Sequence, residues 1–228
     1  MKRPTMKWAT RPWARLAPLL TALALLAVLA VAPNVAARGG QDEIHFKLVP
    51  NAKFADCLAQ YPGDAQRAPT AEVEVKRGKL NDRLELHIHN IKPGLAFDLF
   101  TVQRSSLRAD GSPDPNFKNF GLAWYQSDLE ANEHGNGEVA IRTILLDQIF
   151  GFDPDASLGP TNTFHVGFWF NDPNAAKDCG FDPTKPTPFN GEHKAGPLAM
   201  ISLPDAKTNL GPLCTKPDTS PSPATCNP

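Results

Sequence analysis

The chain has 228 residues and is close to neutral, with 23 basic and 24 acidic side chains. The basic residues form no stripe that would follow a phosphate backbone, so nucleic acid is excluded as the expected partner. Neither a Gly-x-Gly-x-x-Gly nor a P-loop pattern is present, and nucleotide-dependent catalysis is therefore not expected.

The first 37 residues have the pattern of an export signal. Five basic and no acidic residues accompany the apolar run 16–32, and the small residues 35–37 supply a cleavage site before Arg38. We expect an exported protein, and removal of residues 1–37 would leave 18 basic and 24 acidic side chains, a formal charge of −6. The alternative is an uncleaved N-terminal membrane anchor, because the apolar run is near the length of a spanning helix. The body would then still lie outside the cell.

Apolar residues after this segment recur with a period of two, which is typical of half-buried strands. In 71–76, Val73 and Val75 point to one side while Glu72 and Glu74 point to the other. No amphipathic helix of useful length is found. Eight segments are predicted as strands: 43–49, 71–76, 83–89, 95–103, 119–127, 138–146, 163–170 and 197–203.

Pro- and Gly-rich turns separate these strands at short intervals, and this pattern favours an all-β fold. We predict an antiparallel β-sandwich of about eight strands, immunoglobulin-like in the broad sense, with long loops. It forms one domain over 38–214, followed by an extended, solvated Pro/Ser/Thr-rich tail over 215–228. Strands 119–127 and 138–146 are expected to form a hairpin, with Asn136-Gly137 supplying positive φ in the turn.

Strand 163–170 is predicted to be central, because Phe164, Val166, Phe168 and Phe170 alternate with a second face that is also covered. Three loops are unusually long, and loops of this length often carry function or are held in place by a disulfide: 105–118, 151–162 and 171–194. Six further residues are expected in the core: Phe97, Leu99, Leu122, Trp124, Val139 and Ile141.

All four cysteines, Cys57, Cys179, Cys214 and Cys226, lie after the export signal. An even number in a chain that enters an oxidising compartment predicts two disulfides. Their wide spacing, without a Cys-x-x-Cys pair, argues against a zinc knuckle and against a thioredoxin-like redox site. Three pairings are possible; a bond from Cys57 would staple an early loop, and one from Cys226 would tie the tail to the body.

His87-Ile88-His89 is the sharpest local signal for chemistry. Residues two apart on a strand project from the same face, and neutral imidazoles suit zinc or copper. His165 is the best candidate for a third ligand, and His45 and His193 are weaker candidates. Two exposed histidines on a polar strand face also occur without any metal, so metal binding is an alternative rather than the main expectation.

An exported β-sandwich with a His-x-His strand is similar to the copper/zinc superoxide dismutase and chordin-repeat families. The resemblance covers Leu84 to Gly94. Those families imply a downstream segment rich in glycine and histidine ligands, which is not recognisable in this chain. Residues 90–94 have the composition of an ordinary turn, and the chain is not assigned to either family.

Calcium is a second possible metal, because carboxylate and amide oxygens are its preferred ligands. Candidate ligands are Asp110, Asp114 and Asn116, or Asp153 and Asp155. Neither set has the spacing of an EF-hand loop. Asp-Pro and Asn-Pro steps also start turns, and this is the simpler interpretation of both sets.

Tyr125 and Trp169 are candidate platforms for a ligand, since aromatic faces on β-sandwiches can stack against sugars or bind peptides. No Gly-x-Ser-x-Gly elbow is present, so serine-nucleophile catalysis has no support. We expect a non-catalytic binding or structural protein whose partner is an unknown extracellular ligand or protein. The alternatives are a metal-binding protein or metal-dependent enzyme using His87, His89 and His165, and a carbohydrate- or peptide-binding module.

Overall fold

The computed structural model describes residues 42–143, 162–187, 194–214 and 216–227. Three short helices lie in these ranges, α1 (Ala55–Leu58) and two 3₁₀ helices, Ala65–Arg67 and Pro173–Cys179. None of the described helices is long and apolar enough to cross a membrane. The strands are β1 (Glu43–Pro50), β2 (Thr70–Lys76), β3 (Asp82–His89), β4 (Ala96–Val102), β5 (Ala123–Glu130), β6 (Gly137–Thr143), β7 (His165–Phe170), β8 (Leu198–Ser202), β9 (Lys216–Asp218) and β10 (Thr225–Asn227).

Eight strands form one antiparallel sheet in the order β5-β4-β7-β8-β1-β2-β3-β6. The two end strands, β5 and β6, lie beside each other, so the sheet nearly closes into a barrel-like sandwich. The predicted all-β antiparallel fold of about eight strands is confirmed. All eight predicted strands are present, and most of their ends agree within one or two residues.

The predicted hairpin between the fifth and sixth strands is wrong. In the described residues β5 forms its ladder with β4, and β6 forms its ladder with β3. Although β5 and β6 lie beside each other, no ladder of backbone hydrogen bonds joins them, so they are not a hairpin. The turn between them takes its positive φ at Gly135 (74°) rather than at Gly137. Its backbone bonds to another segment, because the Ile91 N–H donates to the Gly135 carbonyl oxygen at 3.0 Å.

β7 is buried along its whole length between β4 and β8, which confirms the predicted central strand. The larger cluster of buried residues, which we call the inner core, contains Phe164, Val166, Phe168 and Phe170. Of the other residues predicted for the core, Phe97 and Leu99 are buried, Leu122, Val139 and Ile141 pack against it in part, and Trp124 is only partly buried.

The opposite face of β7 packs in a second cluster, the outer core, formed by Phe100, Val102, Trp169, Leu198 and Ile201. The loop between β4 and β5, residues 103–122, covers this face, and its Leu107 and Phe120 pack against the cluster. Along β1, β2 and β3, buried residues alternate instead with more exposed ones, and along β6 partly buried residues alternate with exposed ones. Among the described residues, the 103–122 loop thus covers the second side of the sheet at β4, β7 and β8, where these strands are most buried.

Two disulfides are present, as predicted, and the structure gives their pairing. Cys57–Cys179 joins α1 to the end of the 3₁₀ helix Pro173–Cys179. Cys214–Cys226 closes the tail, where β9 and β10 pair as a small hairpin. The tail is thus not simply extended and solvated, because Cys226 is buried against Leu210 and Cys214.

Candidate functional site

A polar pocket of about 650 Å³ lies beside the outer core. We call it the His165 pocket. The 103–122 loop, the first residue of β7 and the segment after β8 form its walls. The charged and aromatic residues of its lining are Arg104, Arg108, Asp110, Asp114, Phe117 and His165.

Backbone bonds fix the shape of the loop that forms one wall. The Arg104 N–H donates to the Phe120 carbonyl oxygen at 3.0 Å, which holds the two ends of the loop together. Farther along, the Asp114 N–H donates to the carbonyl oxygen of Ser106 at 2.9 Å. These bonds place Arg104 and Phe117 on the same pocket although they are 13 positions apart in the chain.

The carboxylates of this loop close turns. Asp110 Oδ1 accepts bonds from the Ser112 hydroxyl at 2.6 Å and the Ser112 N–H at 2.9 Å, and the hydroxyl bond is the main cause of its lowered pKa. Asp114 Oδ1 accepts the Asn116 N–H at 3.0 Å. Both aspartates thus close turns, which is the simpler interpretation of this set. The other calcium candidates, Asp153 and Asp155, lie outside the described residues.

His165 is 4% exposed and lines the pocket. Its Nδ1 lies 3.1 Å from both the carbonyl oxygen and the hydroxyl oxygen of Ser202. Burial lowers the pKa of His165 to about 4, so the ring is neutral at neutral pH. A carbonyl oxygen only accepts, and Nδ1 therefore carries the ring proton. Nε2 is left as an acceptor with no protein partner in the described ranges.

Arg104 is half-buried in the pocket wall. In the part of the chain that the structure describes, no carboxylate lies at ion-pair distance from its guanidinium. Arg108, by contrast, has its Nε 3.9 Å from Asp114 Oδ1. The half-buried Phe117 ring also lines the pocket and packs edge-on against Phe120, with 4.7 Å between ring centroids. The pocket thus combines a cation, a neutral acceptor and an aromatic ring.

The predicted metal set of His87, His89 and His165 does not converge. His87 and His89 lie on the outer face of β3, whereas His165 is on β7, and β8, β1 and β2 lie between those strands. Four strand spacings correspond to about 19 Å along the sheet. The His89 Nδ1 is instead 3.0 Å from Asn136 Oδ1, and the His87 Nδ1 is 3.6 Å from Glu138 Oε2.

A different set of potential ligands comes together on β1 and β2. Potential ligand atoms of Glu43, His45 and Glu74 all lie within 4.8 Å of one another. His45 Nε2 is 2.7 Å from Glu43 Oε1, and Lys76 forms an ion pair with Glu74. Glu74 is thus paired with a lysine, and Glu43 and His45 are exposed to solvent, as is common for such side chains without an ion. His193, the other weak candidate, lies outside the described residues.

Of the two candidate platforms, Trp169 is 1% exposed and cannot offer a face to a ligand. The cause is the 103–122 loop, whose Phe120 packs edge-on against the indole at 5.1 Å. Tyr125 is 48% exposed, as expected, and its hydroxyl donates to Asp128 Oδ1 at 2.7 Å. It is not among the residues that line the His165 pocket. The aromatic ring of that pocket is Phe117, which the sequence analysis did not identify.

Arg104 also was not identified from the sequence. The available signal was the length of the 105–118 loop, since long loops on a stapled scaffold often carry function. Comparison of the chain with protein-family models, with curated proteins and with solved structures finds no match. The function has to be inferred from the chemistry of the site.

Proposed function

We propose that this protein is an exported, non-catalytic binding protein that holds a small polar ligand in the His165 pocket. The observation that carries this proposal is the buried imidazole in the pocket wall, whose Nδ1 bonds to Ser202 and whose Nε2 has no protein partner in the described ranges. Nε2 is accessible to solvent, so a donor group of a ligand can reach it. A pocket of about 650 Å³ is in the range of sites for small molecules.

The location is supported by two kinds of observation. The N-terminal 37 residues have the pattern of an export signal. The described chain also contains two disulfides and no free cysteine. Disulfides form and persist in oxidising compartments.

Binding is favoured over catalysis by the partners of the polar groups. The Ser105 Oγ accepts the Leu107 N–H at 3.2 Å, and the carboxylates of Asp110 and Asp114 are used in turns. In the ranges described, the hydrogen bonds of the His165 side chain go to Ser202 alone. A general base works best when its pKa lies near the working pH, whereas burial holds the pKa of His165 at about 4. Nucleophilic catalysis needs a base at the nucleophile, and Ser105 Oγ instead accepts a backbone N–H.

The test is a binding screen on the full chain, exported through its own N-terminal segment so that the disulfides form. Saturation-transfer NMR would be recorded with monosaccharides, sugar acids, hydroxy acids and amino acids, each at millimolar concentration. The pocket variant is Arg104→Ala/Arg108→Ala. The matched control is Arg83→Ala/Arg142→Ala, which removes two arginines that face each other across β3 and β6.

We expect at least one compound to bind the unmodified protein and the control, and its signal to be lost in the pocket variant. Unfolding temperatures of all three proteins would show that each is folded. The proposal is overturned when no compound binds, or when binding is unchanged in the pocket variant.

A further inference from the structure

We propose that the ligand is an acidic sugar, a hydroxylated ring with a single carboxylate. In this arrangement Arg104 binds the carboxylate, His165 Nε2 accepts a ring hydroxyl and Phe117 contacts the apolar face of the ring. This inference rests on the proposed function and adds the class of ligand to it.

Arg104 is the anion-binding group. A guanidinium presents a planar set of donors that matches a carboxylate in a bidentate arrangement. Arg104 is half-buried and has no carboxylate partner in the described part of the chain, so its charge is available to a ligand. The other arginine of the pocket, Arg108, is already near Asp114.

The charge of the pocket favours a monoanion. Its lining contains two arginines, Arg104 and Arg108, and two aspartates, Asp110 and Asp114. These four charges sum to zero, so a phosphate monoester, with between one and two negative charges at neutral pH, would leave the occupied pocket more negative than a carboxylate would. A carboxylate adds a single negative charge opposite Arg104, the lining arginine that has no carboxylate at ion-pair distance among the described residues.

His165 selects a hydroxyl rather than a second anionic oxygen. Because Nδ1 carries the ring proton, Nε2 offers a lone pair, and a carboxylate oxygen cannot donate to it at neutral pH. A ligand without a matching O–H group would leave this acceptor unpaired, so the site favours an analogue that carries the hydroxyl. The ligand therefore carries a hydroxyl at a distance from its carboxylate.

Phe117 supplies the surface for the ring itself. Its ring is held edge-on against Phe120, with an interplanar angle of 63°, so its position is fixed by packing. The C–H faces of a sugar ring are apolar and pack on an aromatic face. The volume of about 650 Å³ accommodates such a ring together with bound water.

The experiment is isothermal titration calorimetry at pH 7 with four probes and inorganic phosphate. The probes are D-galacturonate and D-glucuronate and their neutral counterparts D-galactose and D-glucose. The variants are Arg104→Gln, which keeps a polar side chain without charge, and His165→Phe, which keeps an aromatic ring without the acceptor. Arg142→Gln on β6 is the matched control outside the pocket.

We expect at least one uronate to bind ten-fold or more tightly than its neutral sugar. Arg104→Gln should weaken uronate binding about 10- to 100-fold and abolish the preference over the neutral sugar, as expected for loss of a charge-assisted bond. His165→Phe should weaken binding about 10-fold, and Arg142→Gln should leave it unchanged. Unfolding temperatures would accompany each titration, and Arg104→Gln tests the proposal even where His165→Phe does not fold.

Equal binding of neutral sugars, preferred binding of phosphate, or uronate binding that Arg104→Gln leaves unchanged overturns the acidic-sugar proposal. The same holds when sugars fail but another compound of the screen binds and depends on the pocket arginines. In that case the proposed function stands and only the ligand class is wrong. Failure of the whole screen overturns both.

Discussion

Burial holds the pKa of His165 at about 4, so the folded protein keeps this imidazole neutral where an unfolded chain takes up a proton. As the pH falls below about 6.5, the unfolded state binds a proton at this position first. We therefore predict that the free energy of unfolding decreases as the pH falls from about 6.5 to about 4. The contribution of this residue is on the order of 3 kcal/mol, from about 1.36 kcal/mol per pKa unit.

Urea denaturation at several pH values between 4 and 8 checks this prediction. Carboxylates also titrate in this range, so the informative quantity is the difference between the protein and its variants. His165→Phe should flatten the dependence between pH 6.5 and 4. His134→Gln, a change at an exposed histidine, should leave it as it is. Parallel curves for the protein and His165→Phe would contradict the neutral, buried imidazole.

The two aromatic residues first considered as ligand platforms differ sharply in burial, and their truncation should differ accordingly. Trp169 packs edge-on against Phe100 and Phe120 at 5.3 and 5.1 Å between ring centroids. We predict that Trp169→Ala lowers the free energy of unfolding by about 3–5 kcal/mol, the usual cost of removing a buried aromatic side chain. Tyr125→Ala should cost under about 1 kcal/mol, because half of that side chain is exposed. Chemical denaturation measures both, and similar costs would contradict this placement of the rings.

At the scale of elements, the strands could be predicted because each carries its own signal. In β2, and in β3 after the buried Asp82, the alternation of apolar and polar residues matches the observed burial. β5 was predicted to begin at 119 but begins at Ala123. Gly121, with φ of 68°, interrupts the extended backbone there, and nothing in the apolar pattern records that turn.

The His165 pocket could not be predicted in the same way. Its residues come from the loop after β4, the start of β7 and the segment after β8, so it depends on which strands are neighbours. The period-two pattern specifies which residues are buried but not the order of strands in the sheet. For the same reason, the sequence could not show that three strands separate His165 on β7 from His87 and His89 on β3.

The two disulfides join elements over very different lengths of chain, and we predict different contributions to stability. Cys57–Cys179 spans 122 residues and Cys214–Cys226 spans 12. Loop-closure entropy gives about 5 kcal/mol for the first bond and about 3 kcal/mol for the second. Cys57→Ser/Cys179→Ser should therefore lower the denaturation midpoint more than Cys214→Ser/Cys226→Ser. The reverse order would show that the tail bond contributes mainly through packing around Leu210.

For the molecule as a whole, the nearly closed sheet has a defined interior and a defined seam. β7 lies in the doubly covered part of the sheet, whereas no ladder joins β5 to β6 in the described residues. We predict that backbone amides of β7 exchange most slowly with deuterium and that amides of β5 and β6 facing the seam exchange fastest among the sheet residues. Hydrogen exchange with mass spectrometry measures this. Equal protection across the seam would indicate that hydrogen bonds close the barrel in solution.

One loop serves two parts of the molecule, because Phe117 faces the His165 pocket while Phe120, three residues later, packs on the Trp169 indole. A compound that displaces Phe117 would therefore alter the surroundings of a tryptophan that it never touches. The indole is a natural fluorophore whose emission depends on its environment. The fold thus contains an optical reporter of pocket occupancy, which a Trp124→Phe background would separate from the signal of the tryptophan on β5.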